Sequence, residues 1–128
     1  MANKRILIAD HDEWVAPILA LHLRNEYYSV EWVKDIETTW SRLMHDKPDL
    51  LIISANLPPA DEITLEACRG LLETAKVPAV YIVGEQRRRR TREFLDLLED
   101  EPVLDKPIAA RRLLATVGEV LNTRRAVA

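Results

Sequence analysis

Apolar residues in this 128-residue chain follow two alternating patterns. The first is the short unbroken run: Ile6-Leu7-Ile8-Ala9, Leu50-Leu51-Ile52-Ile53, Ala79-Val80-Tyr81-Ile82-Val83 and the weaker Val103-Leu104, each bounded by charge or proline. Runs this short, without polar alternation, suit strands covered by helices on both faces of a parallel sheet. Ser29-Val30-Glu31-Trp32-Val33 is more polar, as an edge strand would be. Between the runs the apolar spacing lengthens to a helical period. Val15, Ile18, Leu19, His22 and Leu23 form one face, Ile36, Trp40, Leu43 and Met44 a second, and Ile63, Leu65, Cys68, Leu71 and Leu72 a third. Phe94, Leu95, Leu97 and Leu98 form a fourth, and Leu113, Leu114, Val117, Val120 and Leu121 a fifth. Strand followed by helix, five times over, predicts a flavodoxin-like (βα)5 three-layer α/β sandwich around a five-stranded parallel sheet, with residues 1–128 as one domain.

Composition narrows the chemistry. With 48% hydrophobic and 30% charged residues the chain has enough apolar material to fold without staples, and its one cysteine, Cys68, reads as a small core residue. The three glycines, Gly70, Gly84 and Gly118, all lie in the second half, so no glycine-rich phosphate loop can follow the first strand. His11, His22 and His45 are scattered and there is no second cysteine, which excludes zinc-ligand spacing. The apolar run Ile6 to Ala9 is too short for a signal peptide and no later run approaches membrane-spanning length; a cytoplasmic location is expected, with no membrane partner. The net charge of -3 hides an asymmetry, -5 over residues 1–64 and +2 over residues 65–128.

In a parallel sheet of this kind, ligands gather at the carboxyl ends of the strands. Those positions are Asp10-His11-Asp12, Ser54-Ala55-Asn56, Val83-Gly84 and Asp105-Lys106-Pro107. Together with Ile6-Leu7-Ile8-Ala9 before the first loop and Pro48-Asp49-Leu50-Leu51-Ile52-Ile53 before the second, they resemble, in order and register over the whole chain, the receiver domains of two-component response regulators. The resemblance implies a signalling module of a phosphorelay, not an enzyme. Such domains hold magnesium with two acidic residues after the first strand and an aspartate after the third, which accepts the phosphoryl group. Here Asp10 matches the first acidic position, His11 stands at the second, Asp12 follows, and Ser54 stands at the phosphoacceptor position. Asn56 matches a position that offers only a backbone carbonyl. Val83 and Val103 stand where the family has its switch hydroxyl and switch aromatic, and Lys106 matches the family lysine with its usual ion-pair partner missing.

These departures lead to the expectation of a pseudo-receiver, not phosphorylated on aspartate and acting through protein contacts. Magnesium binding should be weak or lost, and no metal is expected, Asp10 and Asn56 being the weak candidates. Ser54 has no evident general base and cannot form a labile acyl phosphate. The expected partners are a histidine kinase or an output domain, met through the fourth helix, fifth strand and fifth helix, with a homodimer also open. Arg87, Arg88, Arg89, Arg90, Arg111 and Arg112 are the candidates for that surface. Trp14, Trp32 and Trp40 lack interleaved basic residues and read as packing residues, so direct nucleic-acid binding is not expected.

Simpler readings stand beside these. Asp12 is a sensible helix N-cap, His11 an exposed loop residue rather than a transition-metal ligand, and Pro107 a residue that starts the next helix. Pro17 means either that the first helix starts nearer Trp14 or that its first turn is distorted. The order Asp10, Asp12, Ser54, Lys106 also resembles the haloacid-dehalogenase-like phosphatases, a small magnesium-dependent enzyme being the alternative. Those need a further acidic pair after the lysine, where this chain has only Glu119. A Ser54-His11-Asp triad has no oxyanion loop around it.

Overall fold

Five parallel strands form one sheet: β1 (Arg5–Ala9), β2 (Ser29–Val33), β3 (Leu50–Ser54), β4 (Ala79–Val83) and β5 (Val103–Asp105), in the spatial order β2-β1-β3-β4-β5. A computed structural model describes residues 3–55, 57, 62–84, 96 and 98–127, without the side chains of 62–65 and 123–127. Among the described residues the helices are α1 (Ala16–Asn25), α2 (Ile36–His45), α3 (Glu62–Ala75) and α4 (Ala110–Val127), the last being the fifth of those expected. The fourth expected helix lies outside the described residues, apart from the exposed Asp96 and the buried Leu98. The architecture is the flavodoxin-like α/β sandwich that the pattern predicts.

The central strands are apolar on both sides because each feeds two cores. Ile6, Ile8, Leu50, Ile52, Val80 and Ile82 point to one, where α1 contributes Ala16, Leu19, Ala20 and Leu23 and α4 contributes Leu113, Val117 and Leu121. Leu7, Ala9, Leu51, Ile53, Tyr81 and Val83 point to the other, with Leu43 of α2 and Cys68 and Leu72 of α3. Strand β2 pairs only with β1, and its alternating exposure suits an edge. Cys68 is buried, and burial pushes its thiol up to about 11, against the opposing effect of the Trp40 indole, so it is an inert core residue.

Two of the expected helix faces are displaced in part. In α1 the buried positions are 16, 19, 20 and 23, while Ile18 and Leu21 are 56% exposed. Met44 points out from α2, and Trp14 is 86% exposed, so it does not serve as a packing residue. Leu19 and Leu23 keep their expected buried places, and Ala16 and Ala20 complete the face in place of Ile18 and His22. Pro17 sits at the start of α1, where a missing amide removes no helical bond. Asp12 does cap, but one turn earlier: its Oδ1 accepts from the amides of Trp14 at 2.9 Å and Val15 at 3.2 Å. Pro107 does not start a helix, since α4 begins at Ala110.

Glycine is missing where the backbone calls for it. After α1, Tyr27 adopts φ 68° while Tyr28 N donates to Leu23 O and Tyr27 N to Arg24 O, and Lys76 after α3 repeats the arrangement at φ 58°. Both are left-handed helix caps that glycine fills without steric cost. Gly70, in contrast, lies inside α3 with nothing within 4 Å of an added Cβ. Tyr27→Gly and Gly70→Ala are therefore each expected to stabilise the fold by about 0.5–1 kcal/mol, read as a raised urea midpoint at constant slope.

Candidate functional site

All four strand-end loops open on the same edge of the sheet because every strand runs the same way. Asp10 follows β1 directly, and its amide donates to Val33 O of β2 at 3.1 Å. Its carbonyl accepts the Trp32 indole N–H at 2.6 Å, so the edge strand holds the backbone of the site. The Asp10 side chain is completely buried. Oδ1 accepts the amide of Asp12 at 3.0 Å, closing a tight turn, and Oδ2 makes no hydrogen bond.

The charge on that carboxylate is met by Lys106. Its Nζ lies 3.3 Å from Asp10 Oδ2 and donates to Asp12 Oδ2 at 3.1 Å. With serine at position 54, the two aspartates of the first loop bracket Lys106. Its amide donates to Val83 O at 2.9 Å, which fixes the lysine loop against the end of β4. Burial tends to raise the Asp12 pKa, but the Trp14 amide, the Lys106 ammonium and the Val15 amide outweigh it and hold the carboxyl below the ordinary aspartate range.

His11 stands apart. Its side chain is half exposed, with Nδ1 3.8 Å from Asp10 Oδ1, and it is Asp12 rather than His11 that joins Asp10 at the lysine. Spacing alone hid this, because a one-residue difference in a loop decides which side chain turns inward. Ser54 is buried at the end of β3 with its carbonyl accepting from Leu57 N at 3.1 Å, and Val83 is buried at the end of β4. Val103 is half-buried at the start of β5, away from the loop edge. Asn56 lies outside the described residues, as do Arg87, Arg88, Arg89 and Arg90. No group of three or more His, Cys, Asp or Glu side chains among the described residues is arranged to hold a metal.

The described part of the expected partner surface is not basic. Arg111 and Arg112 are exposed in the first turn of α4, but Arg112 shares a groove of about 630 Å3 with Asp96, Glu99, Glu101 and Asp105. The Trp32 contact with Asp10 was not anticipated, and nothing in the sequence marks it, since it depends on β2 lying beside β1.

An acidic loop after β1 with a buried aspartate, tied to a lysine after β5 of a parallel five-stranded sheet, defines a receiver-type signalling domain. Residues 6–118 match the response regulator receiver domain model, and the chain belongs to that family. It is 27% identical over 121 residues to the alkaline phosphatase synthesis transcriptional regulatory protein PhoP of Bacillus subtilis, covering 94% of this chain and 49% of that protein. The chain therefore spans about half the length of this curated relative. Among solved structures it resembles a CheY-like response regulator receiver domain protein from Methanospirillum hungatei, with TM-score 0.84 and 19% identity over 98% of this chain and 99% of that one. A putative response regulator from Chloroflexus aurantiacus aligns with TM-score 0.78 and 24% identity, covering 94% and 98% respectively.

Two outcomes follow from the geometry. Lys106→Met strips the buried Asp10 carboxylate of its compensating charge and should cost about 3 kcal/mol, most of it recovered when Asp10→Asn is added; urea unfolding measures both. The Asp12 contribution is complete above the ordinary aspartate range and is lost as the pH falls through its depressed value. Across that window the wild type should lose more stability than Asp12→Asn, and carboxyl NMR should place the Asp12 titration below that of an unperturbed aspartate.

Proposed function

We propose that this chain is a receiver module that does not use aspartyl phosphate and that signals through protein contacts. The observation that carries the reading is the pairing of Lys106 with both Asp10 and Asp12 while Ser54 stands at the phosphoacceptor position. The receiver family implies a magnesium ion at this place. A hard, six-coordinate cation needs several oxygen ligands at about 2.0–2.1 Å, and here the two carboxylates already face an ammonium within 3.3 Å. Of the three carboxylates that the family supplies, only Asp10 is matched here, with His11 and Ser54 standing at the other two positions. The residues present fit that ion poorly, and no step is assigned to it.

The serine argues in the same direction. An alcohol needs a general base to attack a phosphoryl donor, and a serine phosphoester lacks the lability of an acyl phosphate. The trigger, on this reading, is contact with a partner, a histidine kinase or an output domain. The regulatory title of the Bacillus relative, half of whose length lies beyond the match, is compatible with an output domain as partner. The surface proposed for the contact runs from the end of β4 through β5 to Arg111 and Arg112 of α4, with Arg87 to Arg90 adjoining it in sequence.

The phosphatase alternative gains no support. Glu119, its one available acidic group after the lysine, is exposed and lies nine residues into α4, about 13 Å along the helix from its start near the site. No helix among the described residues is long and apolar enough to cross a membrane, and a cytoplasmic site of action is part of the proposal.

Incubation with acetyl phosphate and Mg²⁺, followed by intact mass measurement, should leave the chain unmodified. The indole of Trp32, bonded to the Asp10 carbonyl, gives a second readout: its fluorescence should not respond to Mg²⁺ in the wild type. A stoichiometric adduct, or a saturable Mg²⁺ response, would overturn the proposal.

A further inference from the structure

The acidic loop after β1 is held from two sides. On the inside, the Lys106 side chain is only 17% exposed and faces Asp10 and Asp12. On the outside, Lys34 follows the edge strand β2, and its 54% exposed side chain donates from Nζ to Glu13 Oε1 at 2.9 Å. The same ammonium lies 4.9 Å from the centroid of the Trp32 ring, within reach of a cation–π attraction. The N–H of that ring donates to the Asp10 carbonyl at 2.6 Å. Trp32 is thus fixed at its edge by the loop, and over its face by a lysine that the same loop holds in place. The contacts close a ring from the Asp10 carbonyl through the indole, the Lys34 ammonium and the Glu13 carboxylate, and along the loop backbone to Asp10. The ammonium holds the Glu13 carboxyl below the ordinary glutamate range, so the outer pair is charged at neutral pH.

We propose that Trp32 is a strap over the Asp10 loop and that the exposed charge of Lys34 sets how firmly the strap is fastened, which makes Lys34 a positioning residue for a buried cluster it does not touch. The two holds differ in their surroundings. Lys106 serves a carboxylate with no exposed surface, where salt screens little, whereas the Lys34–Glu13 pair stands in water and is screened strongly. Ionic strength, or any change that removes the Lys34 charge, therefore acts on the outer hold first. The path to the cluster is short. Asp10, whose carbonyl takes the indole, accepts the Asp12 amide on Oδ1 at 3.0 Å, and Asp12 takes Lys106 on its Oδ2. Releasing the indole frees the Asp10 backbone where that turn begins, while the bond from the Asp10 amide to Val33 O remains, so the loop loosens without detaching. Exposed ion pairs and exposed cation–π contacts are each weak, so losing both speeds local opening by about three- to tenfold. The effect is graded.

The inference holds whether or not the site takes a phosphoryl group, because Trp32, Lys34 and Glu13 have no part in that chemistry. Hydrogen exchange followed by NMR reads both ends of the strap, the Trp32 indole N–H and the Asp12 amide, each taken relative to the core amide of Ile52 in β3. Lys34→Gln should raise both ratios by about three- to tenfold, and Lys34→Arg, which keeps the charge, should leave both near wild type. Lys47→Gln, at an exposed lysine before β3 and so at the opposite edge of the sheet, should change neither. Trp32→Phe, which keeps an aromatic ring and loses the donor, should raise the Asp12 ratio at least as far as Lys34→Gln does. Sodium chloride at about 1 M, where the screening length falls to about 3 Å, should bring the wild type toward Lys34→Gln and leave that variant little changed. The salt series needs no substitution, so it decides the matter should a variant fail to fold. An indole ratio unmoved by Lys34→Gln or by salt, an Asp12 amide that keeps its protection when the indole loses its own, or equal acceleration by Lys34→Arg or Lys47→Gln overturns the proposal.

Discussion

A carboxylate with no exposed surface must be met by a positive charge, and in this chain Lys106 supplies it to Asp10. The residues are far apart in sequence, so the pairing exists only when β1 and β5 have taken their places on the two sides of β3 and β4. Asp12 shares the ammonium while its other oxygen caps the turn into α1. One lysine thus couples the start of the first helix, the tip of the first strand and the loop after the last strand. Breaking such a cluster at one member leaves the others buried without compensation, which makes it a constraint on the whole carboxyl edge of the sheet.

The same cluster forms with a serine at the tip of β3 and a valine at the tip of β4. Here Asp10 and Asp12 together gather the ammonium of Lys106. Ser54 and Val83 stand buried where phosphotransfer would need a carboxylate and a hydroxyl. Val83 packs in the core between the central strands and α2 and α3, and Ser54 is buried at the tip of β3. The fold depends on strands apolar on both faces, the site on side chains at their tips.

Helix α1 shows a second separation, between the face a helix needs for folding and the face it presents. Ala16 and Ala20 let the helix lie close on the sheet, which turns Ile18 and Leu21 outward. Leu19 and Leu23 stay on the buried face beside the two alanines, so the outward turn falls on Ile18 and Leu21. The exposed Trp14 follows from the same geometry, since Asp12 holds the turn that carries it. The tyrosine and lysine caps at 27 and 76 likewise obey packing and hydrogen bonding over local preference, each standing where glycine would be relaxed.

The short apolar runs at 6–9, 50–53 and 79–83 were sufficient by themselves to determine a parallel sheet with helices on both faces, because only that environment buries every residue of a strand. The polar character of 29–33 marked its edge position for the same reason, and the order of elements set which loops share the carboxyl edge. What the sequence could not determine was which side chains in those loops meet. His11 and Asp12 differ by one position, and the Asp10 turn alone decides that Asp12 faces Lys106 while His11 stays half exposed. The Trp32 indole reaches Asp10 only because β2 lies beside β1. Local pattern reports which residues need burial; the pairing of charges across the sheet depends on distances that exist only after the strands are assembled.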